Sequence, residues 1–244
     1  MSRSGELSVC HLLVGLTRGG AERLLVEVLP HLPAQGLRPT VLALKDWGPV
    51  GEDLRARGIE VDALGGKGKG DPRPVLRLVS RLRRRRPVVL HAHLARAVMA
   101  GWWAARSAGV PLVAHFHSLA GERPAWQDRL EGVAARRARA RVAVSAAVAS
   151  DRAQRFQLPV DAFQVIHNGI DTGRFAALPE PATERPVFGF LGRLPVREKG
   201  LDTLLEAVER LKSTGADGPA LEIAGGPPEA AAELRRQVAR SGLE

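Results

Sequence analysis

Runs of apolar residues alternate with amphipathic stretches along the whole chain. Leu7–Val14 reads as a buried strand ending at Gly15, and Gly19-Gly20 then open a helix with Leu24, Leu25, Val28 and Leu32 at helical spacing. Pro30 and Pro33 limit that helix or kink its end. Val41–Leu44 and Ile59–Leu64 read as the next two strands, with a short helix around Leu54 between them. Gly65–Gly70, rich in glycine, reads as a flexible loop. Pro74–Arg86 presents Val75, Leu78, Val79 and Leu82 on one helical face, and Pro87 ends it. Strands at Val88–Leu90, Leu112–Phe116, Val142–Val144 and Phe163–Ile166 follow, separated by helices at Ala95–Ser107, Trp126–Arg137 and Ala146–Phe156. Strands that are apolar throughout and alternate with helices predict a parallel sheet covered on both faces, a Rossmann-like doubly wound α/β domain.

The segment from 169 to 186 has the Gly and Pro content of a linker. A second alternation follows, with strands at Val187–Leu191 and Leu221–Ala224 and helices at Leu201–Leu211 and Glu229–Arg240. The pattern thus predicts a first domain over 1–168, a linker over 169–186 and a second domain over 187–244. That second domain is expected to be incomplete, because doubly wound sheets use about five or six strands.

Composition narrows the class. With 45% hydrophobic and 25% charged residues, the chain is globular rather than disordered. Cys10 has no second cysteine to pair with, which excludes a disulfide scaffold. The longest apolar runs, Leu7–Leu16 and Val98–Ala105, fall short of the roughly 18 residues of a membrane span. No cleavage site follows the first apolar stretch, and the expectation is a cytoplasmic protein. Basic charge is concentrated early: residues 1–170 carry 26 Lys/Arg against 14 Asp/Glu, whereas 171–244 carry 10 against 12. The excess predicts a polyanionic partner for one face of the first domain. Arg81 and the run Arg83, Arg84, Arg85, Arg86 close an amphipathic helix. Such a cluster reads as a solvated face or as a contact for anionic lipid head groups at a membrane surface. Nucleic acid is not expected, since no aromatic residues interleave the arginines and Tyr is absent.

Candidate chemistry falls where binding crevices form in open parallel sheets, at the carboxyl ends of strands. Gly15–Gly20 joins the first strand to a helix and offers backbone N–H groups to an anion, without the G-x-G-x-x-G spacing of a dinucleotide site. His91-Ala92-His93 and His115-Phe116-His117 each read as lying just after a strand. Residues two apart project to one side of a strand, so neighbouring strands would bring the four imidazoles together. Three readings stand: a zinc site, histidines satisfied near the sheet edge, and polar groups that position a substrate hydroxyl. Zinc is disfavoured because no Cys or carboxylate completes the cluster, and the third reading is preferred. Gly192-Arg193 follows the second domain's first strand, and Lys199-Gly200 opens its first helix. Two cations and a helix N-terminus suit a pyrophosphate; the alternative is a pair of solvated surface charges.

Taken in order, these segments resemble glycosyltransferase family 4, retaining enzymes of the GT-B fold. The resemblance rests on Gly19-Gly20-Ala21-Glu22-Arg23, Val88-Val89-Leu90-His91-Ala92-His93, Ala114-His115-Phe116-His117 and Val144-Ser145. It continues through Val165-Ile166-His167-Asn168-Gly169-Ile170-Asp171, Arg174-Phe175, Gly189-Phe190-Leu191-Gly192-Arg193-Leu194 and Lys199-Gly200-Leu201-Asp202. It implies two Rossmann-like domains, the first for the acceptor and the second for a nucleotide-sugar donor such as a UDP- or GDP-sugar. It implies His117, Arg193 and Lys199 as catalytic residues, with Arg193 and Lys199 on the donor pyrophosphate and His117 orienting a hydroxyl. It implies Gly19, Gly20 and Gly192 at the donor phosphates, His93 on the acceptor side, and neither a catalytic metal nor another cofactor. Lipid-modifying relatives use basic first-domain helices on membranes, and Arg83–Arg86 resemble that feature. The family's E-x7-E pair has no counterpart here; Glu222, Glu229 and Glu233 stand outside its context. The leading expectation is therefore a hexosyltransferase acting with retention on a lipid or saccharide, peripheral to the inner face of a membrane. The alternatives are a non-catalytic acceptor- or membrane-binding fragment and a metal-dependent hydrolase built on the four histidines.

Overall fold

The computed structural model describes residues 6–68, 70–175, 187–192, 200–214, 220–226 and 228–240. The chain forms two compact units, Met1–Ala176 and Ala177–Glu244. In the first, a seven-stranded sheet contains β1 (Leu7–Leu13), β2 (Leu37–Ala43), β3 (Glu60–Ala63), β4 (Val89–His93), β5 (Leu112–Phe116), β6 (Ala140–Ala143) and β7 (Gln164–Val165). The strands are parallel in the order β3-β2-β1-β4-β5-β6-β7. The helices are α1 (Gly20–Val28), α2 (Gly48–Ala56), α3 (Arg73–Arg85), α4 (Ala95–Ala108), α5 (Ala125–Arg137) and α6 (Ala146–Phe156).

The strand order reverses between β1 and β4. Right-handed crossovers therefore place α1 and α2 on one face and α3 to α6 on the other. The two cores follow that division. Leu13, Val41, Ala43 and Val61 meet Leu25, Val26, Leu29 and Leu54 on the first face. Cys10, Leu12, Leu90, Ala92, Ala114 and Phe116 meet Leu78, Leu82, Ala97, Val98, Ala135 and Phe156 on the second. The Cys10 thiol is fully buried, and burial pushes its pKa up to about 11.

Local chemistry sets the boundaries. Past Val28, Pro30 and Pro33 turn the chain into two short 3-10 segments, and Gly36 at φ +71° delivers it to β2. Two strand ends move furthest from their expected places. β2 begins at Leu37, upstream of Val41, and runs through Pro39; β3 pairs with β2 only from Thr40 onward, so the missing N–H of Pro39 falls beside a free stretch of strand. β4 continues past Leu90 to His93, because its pairing with β5 extends from Leu90 to His93. Both histidines of the first pair are thus strand residues.

In the second unit β8 (Val187–Leu191) and β9 (Ala220–Ala224) are parallel, with α7 (Leu201–Ser213) and α8 (Pro228–Arg240). Leu201, Leu205 and Leu234 form a small core with Phe190, Leu221 and Ile223. The Gly192 N–H donates to the Ala224 carbonyl at 3.1 Å. A Cβ on Gly225, at φ +125°, would lie 2.0 Å from the Gly192 oxygen, so this approach demands glycine.

Gly101 brings α4 onto the sheet. A Cβ there would meet Leu12, Ala92 and Leu90 side-chain carbons at 3.2, 3.3 and 3.4 Å. Gly101→Val therefore overpacks the β1–β4 core and is expected to lower stability by about 1–3 kcal/mol. Chemical denaturation measures this, and an unchanged midpoint would contradict the packing described.

Candidate functional site

The register of three strands assembles the site. Partners in a parallel ladder share a face, and His11 stands opposite His91 while His93 stands opposite His115. Residues two apart share that face as well, which adds His117 at the end of β5. Five imidazoles thus line one side of the β1–β4–β5 region, where the strand order reverses. Ring centroids are 4.3 Å apart for His91–His93, 4.0 Å for His115–His117, 5.2 Å for His93–His115 and 5.1 Å for His11–His91. The sequence reading found four of the five. His11 escaped it because it stands alone inside an apolar strand, and only the register joins it to the others.

Three contacts connect the rings. His11 Nδ1 lies 3.1 Å from His93 Nε2, His93 Nδ1 lies 2.9 Å from His117 Nε2, and His91 Nε2 lies 3.1 Å from His115 Nδ1. Burial, the first cause at each, lowers every pKa: to about 4 for His11 and His117, to about 2 for His115, and well below 6.5 for His91 and His93. Neighbouring imidazoles lower all but His117 further. The rings are therefore neutral, each with one N–H and one lone pair. Two proton arrangements satisfy the series His11–His93–His117. In the first, donation runs from His117 inward, and the terminal N–H at His11 Nε2 has no partner in the interior. In the second, His11 donates to His93 and His93 to His117, so the terminal N–H is at His117 Nδ1. In both arrangements the terminal N–H falls on a buried nitrogen without a protein partner, His11 Nε2 or His117 Nδ1, and His117 belongs to the wall of a cavity. For the other pair an interior N–H without a partner costs more than a bare lone pair, so His115 donates from Nδ1 to His91, leaving only a lone pair at its partnerless Nε2.

His117 lines a cavity of about 260 Å³ together with Leu94, Arg96, Ser118, Arg123 and Arg152. In the second arrangement its Nδ1 carries an N–H that is buried and has no protein partner. Leu94, between β4 and α4, holds φ +69°, an uncommon conformation for a branched side chain, and its N–H donates to the His115 carbonyl at 3.1 Å.

The loop carrying Ser118 to Pro124 rests on a buried ionic network. Glu131, with no exposure, accepts from Arg123 and, at 3.1 Å, from Arg152. Arg152 also donates to the Ser118 carbonyl at 3.0 Å, and Asp151 accepts the Ala120 N–H at 2.9 Å. Burial raises the Glu131 pKa against the lowering effect of the two guanidinium groups. Arg123, Glu131 and Arg152 were not singled out from the sequence. A buried Glu on an alanine-rich helix has no sequence signature apart from the cations it meets.

The other expected site residues are dispersed. Gly19 caps α1 in extended backbone without a side-chain cap, and Gly20 opens onto free space. His93 is buried with both ring nitrogens engaged by His11 and His117, so any influence on an acceptor passes through His117. Gly192 directly follows β8, while Arg193 and Lys199 lie outside the described residues. Arg85 pairs with Glu60 at 2.6 Å, and Arg83 donates to the Ser107 carbonyl at 2.8 Å. Arg84 and Arg86 are exposed, and Arg86 ends α3 at φ +46°. Because α3 leads into β4, this cluster sits at the amino edge of the sheet, opposite the histidines. As for metals, ring nitrogens of His11, His91 and His93, and of His93, His115 and His117, fall within 4.8 Å of one another. Either triad offers three imidazole ligands without a carboxylate or thiolate, and the nitrogens that face each other are already hydrogen-bonded.

A family model described as Glycosyltransferase Family 4 matches residues 18–174. Among solved structures, Anabaena Alr3699/HepE in complex with UDP-glucose is similar, with a TM-score of 0.80 and 22% identity, over 98% of this chain and 67% of that one. A glycosyltransferase from Rickettsia africae ESF-5 gives 0.71 and 17% over 98% and 66%, respectively. Sucrose-phosphate synthase (tll1590) from Thermosynechococcus elongatus gives 0.68 and 16% over 98% and 68%. These identities speak to fold alone, and the chain spans about two thirds of each neighbour's length. No curated protein sequence matches it.

The histidine column makes stability depend on pH in one direction. Below about pH 6.5 the unfolded chain takes up protons on these imidazoles and the folded chain does not. Stability is therefore full above that pH and falls as the pH drops, by about 1.4 kcal/mol per pH unit for each ring. Five rings set against a total stability of about 5–15 kcal/mol place acid unfolding near pH 5. Thermal melts from pH 8 to 5 are expected to show a flat Tm, then a steep fall below pH 6.5. A Tm that stayed level to pH 5 would contradict the neutral column.

Proposed function

Because the chain belongs to glycosyltransferase family 4, a family of GT-B-like α/β fold, we propose that it moves a hexose from a nucleotide sugar to a lipid or saccharide acceptor, with retention. The observation that carries this reading is the imidazole series His11–His93–His117, which ends on a residue of the cavity wall. A neutral donor there orients a sugar hydroxyl and leaves the chemistry at the anomeric carbon to the leaving group. His93 and His11 act through His117 as positioning residues. The departing nucleoside diphosphate gains negative charge, and fixed cations stabilise it more in the transition state than in the ground state. By the family resemblance Arg193 and Lys199 are assigned that role, and Gly19, Gly20 and Gly192 are assigned to donor-phosphate binding. In this reading those cations, rather than a metal, neutralise the leaving group. That the Anabaena neighbour holds UDP-glucose supports a UDP-sugar as donor here.

Among the described residues no helix is long and apolar enough to cross a membrane. Membrane contact is accordingly proposed as peripheral, at the inner face and through the exposed Arg83, Arg84 and Arg86. Such a contact occupies the sheet edge opposite the histidine site.

Calorimetric titration of UDP and GDP tests the donor half. Binding of one nucleotide, weakened about tenfold or more by Arg193→Ala, is expected from the loss of one charge-assisted contact. Absence of binding by both would remove the donor assignment. In a hexose-transfer assay His117→Ala is expected to lower kcat by about 10²-fold, the typical effect of losing one oriented donor. For the membrane, sedimentation with anionic vesicles should show salt-sensitive binding that falls about tenfold or more when Arg83, Arg84 and Arg86 are changed to Ser. Unaltered binding by that variant would rule out the basic-helix contact.

A further inference from the structure

A second cavity, of about 550 Å³, opens beside the histidine site. It is walled by Val75 of α3, Met99 and Trp103 of α4, and Trp126 and Leu130 of α5. Val14 at the end of β1 and Leu44-Lys45 at the end of β2 place its inner wall at the carboxyl edge of the sheet. Trp103 and Trp126 are 54% and 61% exposed, an unusual placement for two of the four tryptophans in the chain. Lys45 and Arg96 also line the cavity, and neither has an ion-pair partner among the described residues. The one acid in the lining, Asp71, is already bound by Arg73 at 2.8 Å. The cavity therefore joins an apolar aromatic wall to two uncompensated cations.

Val14 and Arg96 line this cavity and the His117 cavity alike. The two hollows are adjoining compartments with Arg96 at their junction. We propose that together they bind a lipid-linked acceptor. Its alkyl or prenyl chain lies against Trp103 and Trp126, its phosphate at Arg96 and Lys45, and its accepting head beside His117. The volume lies within the range of ligand pockets, about 300–1,000 Å³. Apolar walls with a few placed polar groups are the usual means by which an amphiphile is both held and oriented. A free saccharide can stack on the tryptophans but brings no anion to the cations, and a free phosphate would use only the cations. An amphiphile uses both. This deepens the acceptor side of the transferase reading and rests on that reading only in calling the ligand an acceptor.

The test reads binding without transfer. Tryptophan emission of the full chain is followed while dodecyl phosphate, dodecyl maltoside or inorganic phosphate is added below micelle-forming concentrations. Expected are a saturable blue shift with dodecyl phosphate, weaker binding of dodecyl maltoside by about tenfold, and no shift with inorganic phosphate. Arg96→Gln is expected to erase the preference for the phosphate compound. Trp126→Ala, and separately Trp103→Ala, should each weaken dodecyl phosphate binding about tenfold or more. Both tryptophans are largely exposed, so far-ultraviolet circular dichroism and UDP titration should stay unchanged in these variants. No saturable shift, equal binding by both tryptophan variants and the wild-type protein, or inorganic phosphate competing as well as dodecyl phosphate would each overturn the proposal. A failed UDP titration with intact dodecyl phosphate binding would defeat the donor reading and leave this site standing.

Discussion

In-register parallel pairing of β1, β4 and β5 is the constraint on which the site depends. With side chains alternating along each strand, the register that stacks His11, His91, His93 and His115 on one face also sends Cys10, Leu12, Leu90, Ala92 and Ala114 to the other. A slip of one residue would drive imidazoles into the α4 core and expose the apolar set. The histidine column is thus held in place by the packing of α3 to α6 on the opposite side, where Gly101 allows a close approach of α4. Core formation and site formation are one event here.

His117 stands where that ladder ends, and something else must hold it. The loop after β5 is tied down by backbone carbonyls and N–H groups bonded to Arg152 and Asp151, and Arg152 is in turn bound to the buried Glu131. Burying a carboxylate and two guanidinium groups contributes little net stability, since desolvation offsets much of the attraction. Removing one partner is a different matter, because it strands a buried charge. Such a network specifies a single loop geometry more than it strengthens the fold. It is therefore suited to a residue whose hydrogen-bond direction matters.

The sheet was legible from continuous apolar runs such as Leu112–Phe116, and the helices from spacing such as Val75, Leu78, Val79 and Leu82, because burial on one or two faces writes itself into local periodicity. Strand ends were less so. β2 passes through Pro39 and β4 includes two polar imidazoles, and both were placed outside strands because pairing with a neighbour, not local preference, decides them. The two H-x-H pairs announced a site; His11 did not, since its membership depends on a partner eighty-two positions away. Glu131 and Arg152 were invisible for the same reason. The tryptophan wall was also missed: Trp103 and Trp126 read as ordinary helix residues until α4 and α5 are set side by side.

Net charge alone does not locate an anion-binding face, and the reason is specific. Many of the arginines act as internal ties. Arg77 donates to the Leu64 carbonyl at 2.6 Å, Arg136 to that of Phe156 at 2.7 Å, and Arg141 to those of Ala162 and Ala135 at 2.9 and 2.8 Å. Arg81 and Arg85 neutralise Asp62 and Glu60 of β3. These guanidinium groups bind helix ends and loops that would otherwise leave carbonyls unpaired, work to which a planar, always charged donor is suited. The excess of +10 therefore does not describe a uniform polyanion-binding face. Cations without an ion-pair partner among the described residues stand at both ends of the sheet, among them Arg84 and Arg86 where α3 meets β4, and Lys45 and Arg96 beside the tryptophans and His117. Only the second pair adjoins the candidate chemistry. An anionic group recruited at the first end would still have to reach the crevice across the length of β4, roughly 17 Å at about 3.3 Å per residue. Charge at the carboxyl edge, sparse but uncompensated, is what can act on a substrate.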